Sequence, residues 1–290
     1  MTDTDNRCSV LSRLRGDSML GSAFEQGGVL LVEVPGPWGH DALTESRLDS
    51  TVATVLITRA RAAGLRPLAI RHHGRGGTTG AKRWAVRPAG SATTYWGDYE
   101  KDEELLGIAL DGSTGTASSG STFLVCAHSK RDQCCAVFGR PIAAELEVRR
   151  PGQVWECSHT GGHRFAPVVL ALPGSTSGGA LYGRVEVPDA LRIVAATEVG
   201  KTVPEKLRGE IGYSSVVQTA LAQLQQQTGI TGFGDIRVVS SDESVPGTST
   251  VRLTAGDTDY TVTVEAEREL TPFASCGKPD PKPQINFTAR

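Results

Sequence analysis

The order of elements recurs on either side of one small, polar segment, and this recurrence limits the fold more than any other feature of the chain. Residues 112–121, GSTGTASSGS, offer almost nothing apolar to bury and read as a linker or flexible loop. Ahead of it, 29–34 reads as a strand. A helix follows over 49–63, with Val52, Val55, Leu56 and Ala60 near helical spacing and Gly64 as its stop. Strands at 67–71 and 83–87 flank a glycine-rich loop over 72–82. A further strand begins at Tyr95 and Trp96, and a short helix covers 103–109. Behind the polar segment come a strand at 123–127, a helix at 140–148 and strands at 154–158, 168–172 and 181–185. A helix at 188–197 closes this half, with Pro188 in its first turn. Both halves read β-α-β-β-β-α. Leu31-Val32 aligns with Leu124-Val125, His72 with His159, Gly74 with Gly161 and Tyr95 with Tyr182. An internal duplication is one reading of this order; the ordinary alternation of an α/β chain is the other.

The remainder has a different texture. Residues 214–227 are amphipathic, with Val217, Leu221 and Leu224 on one stripe. Segments 249–254 and 260–265 alternate around Gly256-Asp257 and read as a hairpin. The Pro-rich end, GKPDPKPQINFTAR, reads as a loose tail. The 290 residues thus divide into units over 1–116 and 117–205, then a small α+β extension over 206–290. Thirty basic against 32 acidic residues leave a net charge of −2, which argues against a generic nucleic-acid binder. No apolar run approaches the roughly 18 residues of a membrane span, and the acidic start MTDTDNRCS lacks an apolar leader. A cytoplasmic protein without membrane or nucleic-acid partners is expected.

Four of the six cysteines (Cys126, Cys134, Cys135, Cys157) and three of the six histidines (His128, His159, His163) fall in one window, while Cys8 and Cys276 stand alone near the ends. In a reducing compartment such a cluster points to metal or redox chemistry before disulfides. One segment leaves a strand at Cys126, and the second leaves a neighbouring strand at Cys157. If those strands are parallel, both loops emerge at one sheet edge, where open α/β sheets place their sites. Zinc accepts two Cys and two His, but the eight residues between Cys126 and Cys135 do not match a finger. His159-x3-His163 carries Thr160 where a zinc protease needs Glu, and Gly161 and Gly162 disfavour a helix. A Cys-x-x-Cys redox motif and the Rieske pattern are both missing. Wide cysteine spacing with a tight His pair fits a two-iron cluster better, one iron on two thiolates and the other on two imidazoles. The loop at 74–82, GRGGTTGAK, lacks P-loop spacing.

Cys126-x-His128-x-x-Arg131-Asp132-x-x-Cys135, followed by Trp155-Glu156-x-Ser158-His159-x-Gly161-Gly162-His163-Arg164-Phe165-Ala166, resembles the sucrase/ferredoxin-like family. Val34-Pro35-Gly36-Pro37-Trp38-Gly39 and Ser46-Arg47-Leu48-Asp49 resemble its actinobacterial members, which are related to fungal thioredoxin-like ferredoxins. The resemblance covers roughly residues 8 to 210. It implies an α/β, thioredoxin-like ferredoxin fold, which the recurrent order extends to two tandem thioredoxin-like units. It also implies a [2Fe–2S] cluster on Cys126, Cys135, His159 and His163, with Cys134 and Cys157 as alternates. His128, Arg131, Asp132, Gly161, Gly162 and Arg164 surround these positions. A local Arg131–Asp132 pair is expected to shape the loop, and the two glycines to permit a tight turn. Trp155 and Phe165 read as core and shielding. The first half, with His72-His73 but no cysteine in the matching strand, reads as free of a cluster. Cys8 and Cys276 read as structural or incidental.

Such a centre implies one-electron transfer or redox sensing with an unidentified redox partner protein, an electron carrier rather than a catalyst. Two neutral imidazoles in place of thiolates raise the potential above that of an all-Cys ferredoxin and couple electron to proton uptake. No pair of carboxylates supports sugar hydrolysis. The competing readings are a structural zinc module and a thiol-based redox protein on the same residues.

Overall fold

In the computed structural model, which describes residues 6–74, 80–276, 278 and 280–290, a short helix α1 (Cys8–Arg15) precedes the first strand. The chain then runs through β1 (Gly28–Glu33), α2 (Ser50–Ala62), β2 (Leu65–Arg71), β3 (Lys82–Arg87), β4 (Thr94–Tyr99) and β5 (Thr116–Ser118). It continues through β6 (Thr122–Cys126), α3 (Gln133–Arg149), β7 (Val154–Cys157), β8 (Val169–Leu172), β9 (Ala180–Tyr182), α4 (Val187–Glu198) and β10 (Leu207–Glu210). Last come α5 (Ser215–Thr228), β11 (Ile236–Val245), β12 (Thr248–Ala255), β13 (Thr258–Thr271) and β14 (Lys282–Ala289).

The result is a mixed α/β chain with one large sheet of ten strands and one of four. In the large sheet β1 pairs parallel with β2, while β3 runs antiparallel to β1 and β4 to β3. Likewise β6 pairs parallel with β7, β8 antiparallel with β6, and β9 with β8. The orders β2-β1-β3-β4 and β7-β6-β8-β9 are therefore the same, and β2 meets β7 antiparallel at Ile70↔Cys157. One apolar layer runs along one face through both halves, with Leu31, Ile70, Leu124, Trp155 and Leu170. On the other face the core is split, one part under α2 and one under α3 and α4. The alternation of Leu30 and Val32 against Val29 and Leu31 shows why: each fully buried central strand supplies both layers.

Local chemistry explains the crossovers. Asp49 caps α2 by accepting from Thr51 N and Val52 N at 2.8 and 3.0 Å, and Gly64 at φ +71° turns the chain out of it. Helix α3 starts at Gln133, two turns ahead of the start that the sequence suggests at 140. Pro141 lies inside it and removes one backbone donor without ending it. Asp132 caps this early start, accepting from Cys134 N at 2.9 Å. Cys134 and Cys135 thus sit in a helix first turn rather than a loop.

Three further segments depart from expectation. Within the polar stretch 112–121, β5 pairs with the edge of β4. The tail expected to be loose forms β14 over Lys282–Ala289 and pairs with β13, and β11 adds a strand on the opposite edge. The expected hairpin is present as β12–β13, in register Ala255↔Thr258 around Gly256 at φ +57°. Helix α5 lays Val217, Leu221 and Leu224 on Val251, Leu253 and Val264 of this second sheet. Residues 75–79 of the glycine-rich loop lie outside the described residues. No helix among the described residues is long and apolar enough to cross a membrane.

Candidate metal centre

Cys126 is the last residue of β6 and Cys157 the last of β7; the two are register partners across the parallel pair. The loops that follow both strands emerge at the same sheet edge, as the parallel pairing requires. Gly139 lets α3 cross tightly over this edge, for a Cβ there would collide with the Cys126 carbonyl. That close approach carries Cys135 over the end of β6.

One sulfur each from Cys126 and Cys135 and one ring nitrogen of His159 lie within 4.8 Å of one another. Cys135 Sγ is 3.8 Å from His159 Nδ1. His163 adjoins this group, with its Nδ1 3.4 Å from His159 Nε2 and the two rings 5.0 Å apart. The cysteines are buried and the two histidines are partly exposed. A hydrogen bond from Cys135 holds the Cys126 thiol well below its ordinary range; burial opposes this, and His159 adds to it. Cys135, as the partner that keeps its proton, is pushed well above, and its own burial adds to the shift. Burial lowers His163 against the attraction of Asp132, whose Oδ2 is 3.8 Å from Nε2.

The alternates go elsewhere. Cys157 is fully buried, and burial raises its thiol well above the usual range. It belongs to the apolar layer and to neither Cys/His group of the described residues. Cys134, on the neighbouring face of α3, turns away from Cys126 toward Cys8 and Cys276.

The surrounding residues divide by role. His128 Nε2 donates to the Gly39 carbonyl at 2.6 Å, which leaves Nδ1 buried without a partner. Asp132 does not pair with Arg131: it turns inward as the cap of α3, while Arg131 reaches His40 at 3.0 Å. Gly161 and Gly162 hold φ of +92° and +62° in the turn between the histidines. Arg164 is buried, not solvated, with its guanidinium 4.7 Å from the Phe165 ring. Trp155 is in the core, stacked on Trp96 and close to His72. His73 bonds Glu156, and neither His72 nor His73 enters a Cys/His group of the described residues.

Arg208 on β10 is a site residue that sequence reasoning misses. Fully buried, it donates from Nη1 to the Gly161 carbonyl at 3.0 Å, from Nε to Ser22 Oγ at 3.0 Å and from Nη2 to the Ser22 carbonyl. A Cβ on Gly162 would strike its guanidinium. Burial lowers its pKa to about 9. Arg208 thus fixes the His159–His163 turn from a strand outside both motifs, and no local pattern marks it.

Two clefts open beside the histidines. One, of about 390 Å³, is lined by His40, His128, Arg131 and His159; the other, of about 520 Å³, by His40, Arg131, His163 and Arg208.

A buried thiol pair meeting surface imidazoles at the carboxyl edge of a mixed α/β sheet defines a protein able to hold a metal ion. A profile described as sucrase/ferredoxin-like matches residues 19–209, and the chain belongs to this family. Neither the curated proteins nor the solved structures give a match.

Proposed function

We propose that this protein is a one-electron carrier holding a [2Fe–2S] cluster on Cys126, Cys135, His159 and His163. The observation that carries the reading is the convergence of Cys126, Cys135 and His159 within 4.8 Å, with His163 beside His159. The residues fit such a group. Two buried sulfurs face two nitrogens, and Cys126 already favours its thiolate. The first turn of α3 favours negative charge on Cys135. Thr160 Oγ1 and His128 Nδ1 are buried beside these residues without partners.

When bound, the cluster supplies a single exchangeable electron at a potential above that of an all-Cys ferredoxin. The protein divides the remaining work. Cys126 and Cys135 hold the buried side, and the apolar layer of Leu124, Trp155 and Cys157 excludes water beneath them. His159 and His163 form the exposed side, and each can move a proton at a ring nitrogen. A redox partner protein docks over this edge, between the two clefts, where Arg131 and His40 form the rim. The shared order of β2-β1-β3-β4 and β7-β6-β8-β9 supports two tandem thioredoxin-like units over 1–116 and 117–205. The α+β extension over 206–290 supports the edge of the second unit through α5.

The test is anaerobic purification with iron and sulfide analysis, followed by EPR of the reduced protein. Two irons and two sulfides per chain, with a reduced signal of Rieske type, support the reading. Zinc in place of iron, lost in Cys126→Ser, would make the centre structural. Metal-free protein with one reactive thiol would point to thiol chemistry.

A further inference from the structure

Cys8, Cys134 and Cys276 are separated by up to 268 residues, yet their sulfurs meet. Cys8 Sγ is 3.6 Å from Cys134 Sγ, Cys134 Sγ is 3.2 Å from Cys276 Sγ, and Cys276 Sγ is 3.5 Å from Cys8 Sγ. Both carboxylate oxygens of Asp132 are 3.6 Å from Cys8 Sγ. We propose that these four residues are a second metal site, a structural Zn²⁺ centre of three thiolates and one carboxylate, distinct from the Cys126–His163 group.

The geometry selects a metal over the alternatives. Three sulfurs lie at nearly equal separations, and a disulfide would use two of them and leave the choice of pair undetermined. A tetrahedral zinc with Zn–S of about 2.3 Å holds its sulfurs about 3.8 Å apart, and the observed triangle, with sides of 3.2, 3.5 and 3.6 Å, is tighter by roughly 0.2 to 0.6 Å. Replacing one sulfur by a carboxylate oxygen at about 2.0 Å brings that separation to about 3.5 Å, close to the Asp132–Cys8 distance. Three thiolates with one carboxylate make a closed set of four, as structural zinc prefers.

Asp132 is the second, independent indication. Its side chain is fully buried, and among the described residues the one basic side chain within 4 Å of it is His163, at 3.8 Å. Neutral donors orient it: Cys134 N to Oδ1 at 2.9 Å, and Cys276 N and Ser275 Oγ to Oδ2 at 2.8 and 3.0 Å. Such donors hold a ligating carboxylate in place without neutralising it. A buried carboxylate beside two buried thiols and a half-buried third wants a cation.

The site joins three parts of the chain. Cys8 opens α1, Cys134 is in the first turn of α3, and Cys276 lies between β13 and β14. Cys8 and Cys276 fall outside the matched span 19–209. Zinc here would clip both ends of the chain to the helix that carries Cys135, and binding would release the thiol protons.

The test is metal analysis of the full chain after incubation with zinc and desalting. The expected result is about one zinc per chain at this site, lost in Cys8→Ser and in Cys276→Ser, with the metal held through Cys126 unchanged in both. Cys126→Ser should show the converse. If the primary centre holds zinc rather than iron, wild type carries two zincs and each variant one, so failure of the cluster reading is told apart from failure of this one. Should a serine variant misfold, Co²⁺ added to wild-type protein with its primary centre filled provides the second measurement. Intense thiolate-to-cobalt charge-transfer bands are expected. Full zinc retention in both Cys8→Ser and Cys276→Ser, absence of those bands, or an intact mass 2 Da lower from a disulfide would each overturn the proposal.

Discussion

Gly139→Ala sets two effects of opposite sign against each other. In an exposed helix, Ala in place of Gly stabilises by about 1 kcal/mol. At position 139 the added methyl would lie roughly 1 Å closer to the Cys126 carbonyl oxygen than the ~3.3 Å of a C–H···O contact. The atom struck is backbone, so no rotamer change relieves it; α3 must move from β6 by about that distance. Overpacking of this kind costs about 1–3 kcal/mol, and a contact against fixed backbone belongs near the upper end. The expected net loss is about 2 kcal/mol. Movement of α3 also separates Cys135 from Cys126, so metal content should fall with stability. The assay is urea unfolding followed by circular dichroism, alongside metal analysis. Gly107→Ala is the control, since a Cβ there meets nothing within 4 Å. A Gly139→Ala protein as stable as wild type, with full metal content, would refute the claim that the α3–β6 approach sets the centre.

Other predictions concern single groups. Burial raises Glu210 from 4.5 to about 7, and its carboxylate accepts a hydrogen bond from Gln225 Nε2 at 2.7 Å. The folded state therefore holds this proton more tightly than the unfolded one, so the contribution of Glu210 to stability is full below pH 4.5 and falls by about 3 kcal/mol as pH rises to 7. Glu210→Gln should raise Tm at pH 8 and leave it unchanged at pH 4; equal gains at both would contradict this. Arg208→Lys keeps a charge but loses the fork that binds Gly161 and Ser22, and should cost on the order of 3 kcal/mol together with metal content. Asp49→Ala removes only the cap of α2 and should lower stability by about 1 kcal/mol with metal content intact, as read by thermal melts and metal analysis.

The parts of the fold legible in the sequence are those with local chemical signals. Asp49 and Gly64 bracket α2, the Leu221 stripe marks α5, and Gly256-Asp257 marks the β12–β13 hairpin. The start of α3 was hidden because Pro141 looks like a boundary and Gln133-Cys134-Cys135 has no apolar period. Strand β14 was hidden by its prolines. It is an edge strand, where Pro283 can sit opposite Leu270 without breaking a central ladder. At the centre, the meeting of the loops that follow Cys126 and Cys157 could be read because parallel strands bring their carboxyl-end loops to one edge. Arg208 and the meeting of Cys8 with Cys276 could not, because long-range packing places them and no periodicity records it.

The most direct test of the central claim is EPR and iron analysis of the anaerobically purified, dithionite-reduced protein, compared with Cys135→Ala, His163→Cys and Cys157→Ala. The account predicts two irons per wild-type chain and a Rieske-type signal. It further predicts loss of iron in Cys135→Ala, a shift toward an all-thiolate signal in His163→Cys, and no change in Cys157→Ala. A wild-type protein without iron, or one whose iron is lost in Cys157→Ala but kept in Cys135→Ala, would contradict it.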